Sequence, residues 1–139
     1  MRVAAAVIAA LALAVAGPAC GGGEEVTPTA ETVEGEIQEQ TVGQGDAAAG
    51  KTVFTNEANP SCGSCHTFQA AGTNAQTGPN LNEALAGDDP QQIYESIINP
   101  NAEITEGFQE GIMPGNYGEQ LSEKQLADLV AFLNENKGS

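Results

Sequence analysis

The side chains best placed to do chemistry in this chain of 139 residues form one run, Cys62-Gly63-Ser64-Cys65-His66. Two thiols three positions apart can reach the two vinyl groups along one edge of a porphyrin and close thioether bonds to them. A histidine directly after the second thiol is then held under the ring, where its imidazole can ligate the iron from one side. Gly63 and Ser64 are small, so the loop between the thiols can lie close against the ring edge. This spacing is the attachment pattern of a c-type haem.

Other chemistries use parts of the same run. A C-x-x-C pair can be a redox dithiol or half of a zinc site. A thioredoxin-like dithiol would sit in a βαβ pattern, and no strand-like runs flank these residues. A zinc site needs four ligands, and the run supplies three. The remaining cysteine, Cys20, lies in a leader-like segment, and His66 is the single histidine. Covalent haem attachment is the reading that uses the whole motif. It leaves the iron short of a sixth ligand. Met113 is the one methionine besides Met1. A lone methionine in a loop usually fills a packing gap. Here Pro114 restricts Met113 to an extended backbone, which presents its thioether in a fixed direction. Met113 is therefore expected as the second axial ligand.

Helices must position these groups. Asp46 is a good N-cap for a first helix, and Ala47-Ala48-Ala49 are strong helix formers. Val53 and Phe54 follow at helical spacing, and Asn59-Pro60 ends the pattern just before the motif. Gly50 costs a helix roughly 1 kcal/mol relative to Ala. It either admits a second helix at close range or is a tolerated surface glycine. Residues 67–80 are polar and glycine-rich and are expected to be a loop. A short helix is expected at 81–86, stopped by Gly87. Asp88 or Asp89 can cap the next helix, with Pro90 at its first position. That helix carries Ile93, Tyr94, Ile97 and Ile98 on one face. Residues 101–120 show no sustained period and contain Gly107, Gly111, Pro114, Gly115 and Gly118, so they are expected to be irregular. In the final helix Ser122 and Gln125 fit a capping box. Leu126, Leu129, Val130 and Leu133 form its apolar stripe, with Phe132 beside it and Gly138 as a stop. No internal repeat or convincing strand is apparent.

Composition agrees with a small domain built around a cofactor. Glycine and alanine are plentiful, aromatics are few and tryptophan is absent. Such side chains make a thin core, and small domains are marginal without a metal, staple or other apolar body. The formal charge is −15. From Asp46 onward thirteen acidic residues face only Lys51, Lys124 and Lys137, which leaves −10. No basic patch is available to neutralise phosphates, which argues against nucleic acid and against electrostatic docking on anionic lipid. A protein partner with a basic or apolar docking face fits, and so does a simple role in solubility.

Residues 1–20 read as a signal peptide. Arg2 precedes an unbroken apolar run of 14 residues, 3–16. A membrane span needs ~20, so the run suits the apolar region of a cleaved leader. Two exits are open. Ala14-Val15-Ala16 is a small-residue cleavage site that would release a soluble periplasmic or secreted protein. Gly17-Pro18-Ala19-Cys20 resembles a bacterial lipobox, in which Cys20 would become the lipidated N-terminus. The lipoprotein reading accounts for the odd cysteine and is the expectation here. Residues 21–45 are expected to be a flexible acidic linker. Their few apolar side chains cannot bury enough surface to order them, and a coil of this length reaches roughly 25–30 Å. Residues 46–139 are the expected folded domain.

In this order the pieces resemble the small class I, monohaem cytochromes c. The resemblance runs from Asp46 to Lys137. It is carried by the Cys62–His66 motif, Gly78-Pro79-Asn80-Leu81, the Met113-Pro114 pair, and terminal helices holding Gly50, Phe54 and Phe132. The stretch Tyr94-Glu95-Ser96-Ile97-Ile98-Asn99-Pro100-Asn101-Ala102, followed by Gly111-Ile112-Met113-Pro114, is similar to the cytochrome c domain of subunit II of bacterial haem–copper oxidases. The resemblance implies an all-α fold of about four helices wrapped around one covalently bound haem c and its iron. Cys62 and Cys65 would hold the haem, His66 and Met113 would ligate the iron, and Pro79 would offer its carbonyl to the other ring nitrogen of His66. Gly50 and Phe54 would meet Phe132 where the first and last helices cross. The implied function is single-electron transfer in a respiratory chain, from a quinol-oxidising complex to a terminal oxidase, with no catalytic residues. The chain would sit on the outer face of the bacterial cytoplasmic membrane, held there by a lipid anchor. A haem-based sensor or peroxidase-type enzyme with five-coordinate iron is the competing class. The acidic surface sets this chain apart from relatives that dock through a ring of lysines.

Overall fold

The computed structural model describes residues 42 and 44–139. The expected signal peptide, Cys20 and the linker up to residue 41 lie outside the described residues. The elements run in chain order as α1 (Ala47–Thr52), a π-helical turn (Val53–Glu57), a 3-10 turn (Cys62–Ser64), β1 (Thr67–Phe68), a second 3-10 turn (Gln69–Ala71), β2 (Thr73–Asn74), α2 (Leu81–Ala84), α3 (Pro90–Ile98), α4 (Tyr117–Gln120) and α5 (Glu123–Asn136). Helices dominate, as expected for a small all-α domain.

Helix α5 is the central element. Ser122 and Gln125 form the expected capping box. Every residue from Leu126 to Leu133 is buried, so the helix is enclosed on all sides rather than along one stripe. The burial includes Asp128, whose carboxylate accepts the Asp46 amide at 2.8 Å and pairs with Lys124 at 2.7 Å. Asp46 in turn caps α1, its side chain accepting from the Ala48 and Ala49 amides. One chain of hydrogen bonds thus joins the start of α1 to the middle of α5.

Helix α1 crosses α5 at Gly50. A Cβ built there would lie 1.9 Å from the Asp128 carbonyl oxygen and 2.8 Å from the Phe132 Cβ. Gly50 is therefore a contact glycine and not a tolerated surface one. Gly45 meets the Ala127 carbonyl in the same way, at 2.1 Å. Val42 is 1% exposed and belongs to the core. The packed body thus reaches back to Val42, into the stretch expected to be linker. Beyond Thr52 the backbone widens by one residue, and the Ala58 amide reaches the Val53 carbonyl five positions back. Phe54, Phe68 and Phe132 then meet with ring centroids 5.4–5.9 Å apart in tilted and edge-on contacts.

Helix α3 starts at Asp89, which forms a capping box with Gln92, and Pro90 takes the first helical position. Ile93 and Ile97 are buried, while Tyr94 and Ile98 are half-buried on the same side. Two features depart from the expected pattern. The 67–80 loop holds an antiparallel ladder, Thr67 opposite Asn74 and Phe68 opposite Thr73. Gly72 turns the chain at φ +74°, and the Thr73 hydroxyl donates to the His66 carbonyl while accepting from the Phe68 amide. Helix α4 stands inside the stretch expected to be irregular. Both elements are too short to show a period and are held by single side chains.

Candidate haem site

The helices leave one deep apolar cleft, about 1410 Å³ counting the space open at its mouth. Leu81, Leu85, Ile93, Ile97, Leu129 and Leu133 line it. The same cleft is lined by Cys62, Cys65, His66, Pro79 and Met113. All five residues expected to hold or ligate haem within the folded domain therefore face one space. Cys20 lies outside the described residues.

The motif folds as a tight coil because one carbonyl serves two donors. The Cys62 carbonyl accepts both the Cys65 amide, at 3.1 Å, and the His66 amide, at 3.0 Å. Both thiols are free. Burial pushes the Cys62 thiol up to about 11, so it stays protonated at neutral pH. Gly63 is required by its neighbour, since a Cβ there would lie 2.6 Å from the Thr73 methyl.

His66 is 8% exposed. Its Nδ1 lies 2.9 Å from the Pro79 carbonyl oxygen. A carbonyl can only accept, so Nδ1 carries the proton and Nε2 keeps its lone pair. Burial lowers the imidazole pKa, and the Pro79 bond opposes that in part, so the ring is neutral. Gly78 fixes its plane. A Cβ at Gly78 would lie 2.5 Å from His66 Cε1 and 2.8 Å from Nδ1, and the Gly78 amide donates to the Cys65 carbonyl at 2.8 Å. The Gly78-Pro79 backbone thus lies against the ring and accepts its proton.

Met113 is half-buried and packs against the core from the irregular segment. Four residues later, Tyr117 is 4% exposed and its hydroxyl donates to the Pro60 carbonyl at 2.9 Å. This bond ties the segment after Met113 to the segment before Cys62. Burial raises the Tyr117 pKa to about 12, so the phenol stays a donor. Sequence reasoning did not single out Tyr117, Thr73 or Asp128. A lone tyrosine in a Gly-rich stretch, where a large apolar ring needs cover, was the available signal for Tyr117.

The donor set fits a covalently held haem. It offers two free thiols, a neutral imidazole with one nitrogen unspoken for, and a thioether, around a largely apolar cleft. Among the described residues no other group of histidine, cysteine, aspartate or glutamate side chains is gathered to hold a bare metal ion.

Comparison with known proteins agrees. The cytochrome c family model matches residues 47–137. The Cbb3-type cytochrome c oxidase subunit FixP of Sinorhizobium medicae (strain WSM419) is 32% identical over 104 residues, which cover 73% of this chain and 34% of that protein. The chain thus spans about a third of the length of this curated relative. The c-type cytochrome SorU from Sinorhizobium meliloti is similar in structure, with a TM-score of 0.52 and 25% identity, covering 66% of this chain and 91% of that one. The match over nearly the whole folded domain, together with a single Cys62–His66 attachment motif in a cleft of the right character, places this chain in the cytochrome c family, as a class I monohaem member that carries covalent haem c.

Proposed function

We propose that this cytochrome is a lipid-anchored carrier of single electrons in a respiratory chain. It would take them from a quinol-oxidising complex and deliver them to a terminal oxidase. The observation that carries the reading is that His66 and Met113 line the same cleft as Cys62 and Cys65. Side chains able to take both axial positions leave no open coordination site for a substrate. That favours a carrier over the sensor or peroxidase class. Bound haem supplies a one-electron ferrous–ferric couple, whose potential methionine ligation raises relative to more donating ligands.

The chain's own residues do the rest. Cys62 and Cys65 would hold the haem through thioether bonds. Pro79 holds the His66 proton on Nδ1, which keeps Nε2 a good donor and fixes the ring direction. Leu81, Ile93, Ile97 and Leu129 line the cleft and would keep water from a bound ring. The oxidase as acceptor is supported by the likeness to FixP, an oxidase subunit by name. The quinol-oxidising donor follows from the family resemblance alone. Anchoring on the outer membrane face rests on Cys20 after the apolar leader, with residues 21–41 supplying reach up to the folded domain.

The test is a pyridine haemochrome spectrum and intact mass on protein extracted from membranes. One haem per chain and a diacylglycerol-sized increment on Cys20 are expected. A methionine–iron charge-transfer band in the oxidised protein, and slow carbon monoxide binding in the reduced one, are the companion results. Fast carbon monoxide binding to untreated protein would overturn the carrier reading in favour of the five-coordinate class.

A further inference from the structure

Asn82 joins three stretches that lie far apart in the chain. Its Oδ1 accepts the Gln69 amide at 2.9 Å, and its Nδ2 donates to the Ser139 carbonyl oxygen at 2.7 Å. Its own carbonyl accepts the Gly138 amide at 3.0 Å. Both ends of one side-chain amide are thus occupied, by partners 13 and 57 positions away. Capping α2 does not require either bond, since Asn80 already caps that helix. The Gln69 bond also falls in a register. The Gly78 amide donates to the Cys65 carbonyl, the His66 ring reaches the Pro79 carbonyl, and the Gln69 amide reaches Asn82, each pair 13 positions apart. Residues 65–69 and 78–82 therefore lie side by side, and Asn82 makes the last rung, three residues past the carbonyl that holds the His66 proton. Residues 137–139 close this arrangement from outside. Gly138 turns the chain at φ +72°, and the Lys137 ammonium donates to the Asp88 carbonyl. This strap meets the chain at the start of α2 and again just beyond its end, and Leu81 and Leu85 between those points line the cleft.

We propose that Asn82, held in place by residues 138–139, is a positioning residue for the axial histidine: it clasps residues 65–69 to residues 78–82 and so fixes the hydrogen bond from His66 Nδ1 to Pro79. A carbonyl that takes the proton of a metal-binding imidazole raises its basicity and holds its direction. Pro79 can do this only while its carbonyl keeps its place beside the ring. Proline has no amide of its own to anchor that place, so the rungs on either side set it, at Gly78 and at Asn82. Gly78 lies directly on the ring. Asn82 secures the other side, and the strap keeps its side chain from turning away, because Nδ2 is held while Oδ1 accepts. Releasing Asn82 would lengthen the Pro79 bond and leave the imidazole a weaker donor. A weaker donor stabilises ferric iron less, so the midpoint potential of the holoprotein would rise. The inference rests on His66 as an iron ligand and on nothing about the respiratory route.

The test compares the parent holoprotein with Asn82→Ala, Gly138→Pro and Ala48→Gly. Two quantities are read in each: the midpoint potential, by spectroelectrochemical titration, and the rate at which the His66 Nδ1 proton of the reduced protein exchanges with solvent deuterium, by proton NMR. Asn82→Ala should raise the potential and speed the exchange about tenfold. Gly138→Pro removes the amide that binds the Asn82 carbonyl and leaves Asn82 itself unchanged. It should move both quantities in the same direction, with exchange about threefold faster, and it decides the matter if Asn82→Ala yields no haem-loaded chain. Ala48→Gly weakens α1 on its exposed side, away from the clasp. It should move neither quantity, because a local opening and not global unfolding releases the proton. An unchanged potential or an unchanged exchange rate in Asn82→Ala overturns the proposal, and so does a Gly138→Pro protein that behaves as the parent. A matching shift in Ala48→Gly would mean general loosening and overturns it too. Parent His66 ring signals in the range of a free imidazole would overturn ligation and clasp together, whereas an iron-bound His66 that no variant moves overturns the clasp alone.

Discussion

Replacing Gly50 by alanine sets helix propensity against packing, and the structure says which wins. Alanine is the better helix former by roughly 1 kcal/mol, so a surface glycine at this position would make the variant more stable. At the observed crossing the new Cβ would stand 1.9 Å from the Asp128 carbonyl oxygen and 2.5 Å from its carbon. Ordinary contact starts at 3.4 Å, so α1 and α5 must part by about 1.5 Å. The obstacle is backbone, which cannot rotate aside. It lies beside the Asp46–Asp128 bond and the Phe54–Phe132 contact, which the same movement would loosen. Overpacking typically costs 1–3 kcal/mol, and a backbone clash belongs at the upper end. Net of propensity, the variant should lose about 2 kcal/mol, or roughly 8–16 °C in Tm for a domain of this size. Thermal unfolding of the holoprotein by far-ultraviolet circular dichroism measures it. Ala48→Gly is the control, since Ala48 is exposed in the same helix and should cost only about 1 kcal/mol. If Gly50→Ala melts at or above the parent temperature, the crossing is not as close as described and the reasoning fails.

Three further outcomes follow from the site and its supports. Gly78→Ala puts a Cβ 2.5 Å from the His66 ring, so the imidazole must tilt and lengthen its bond to Pro79. A loss of about 1–3 kcal/mol and a lowered yield of haem-loaded chain are expected, and parent-like loading with an unchanged midpoint potential would contradict the fixed ring. Tyr117→Phe leaves the Pro60 carbonyl without its donor and should cost about 1 kcal/mol in denaturant unfolding, whereas an unchanged midpoint would show that water replaces the hydroxyl. Asp128 supplies a pH dependence. Burial alone would raise its pKa, but the Lys124 hydrogen bond, the Asp46 amide and the Lys124 charge outweigh that and hold it below the ordinary 3.8. Because the folded-state value is depressed, its contribution is present in full above the unfolded value and is lost as pH falls through the folded one. Asp128→Asn should therefore be less stable than the parent near pH 7 by about 1 kcal/mol, with the gap closing below pH 3.8. A gap that stays constant down to pH 2 would refute the assignment.

The parts of this fold that were legible in the sequence are those where one residue type has one physical use. Asp46, Asp89 and Ser122 cap helices because a short oxygen side chain before a helical run has little else to do. The Cys62–His66 spacing speaks for itself, since thioether closure and ligation both depend on it. Gly50 was ambiguous because a glycine in a helix declares missing side-chain volume but not what fills the space. Phe132 and the Asp128 carbonyl fill it, and both lie more than seventy residues away. The π turn at Val53–Glu57, the Thr67–Asn74 ladder and α4 were not legible. Each is set by a tertiary contact of one or two side chains over fewer residues than a hydrophobic period needs. Asp128 was hidden for the opposite reason. It sits in a clear helix, where an acidic residue is normally read as solvent-facing, and only the approach of α1 turns its position inward.

The two residues proposed as axial ligands, His66 and Met113, are held by different means, and that division bears on how a carrier would work. His66 is braced on several sides. The Cys62 carbonyl fixes its backbone, Thr73 takes its carbonyl, Gly78 lies on its ring and Pro79 holds its proton. Met113 stands in an irregular segment that is tied by few bonds, chiefly Asn101 to Gly111 before it and Tyr117 to Pro60 after it. Segments with few buried contacts open at lower free energy than the core around them. His66 is thus the residue that would keep its direction toward a bound haem, while Met113 is the one freer to respond to its surroundings. The segment that carries Met113 also carries Ile112, Phe108 and the interleaved glutamates. A contact that disturbs those side chains would therefore act on Met113 before it acts on His66.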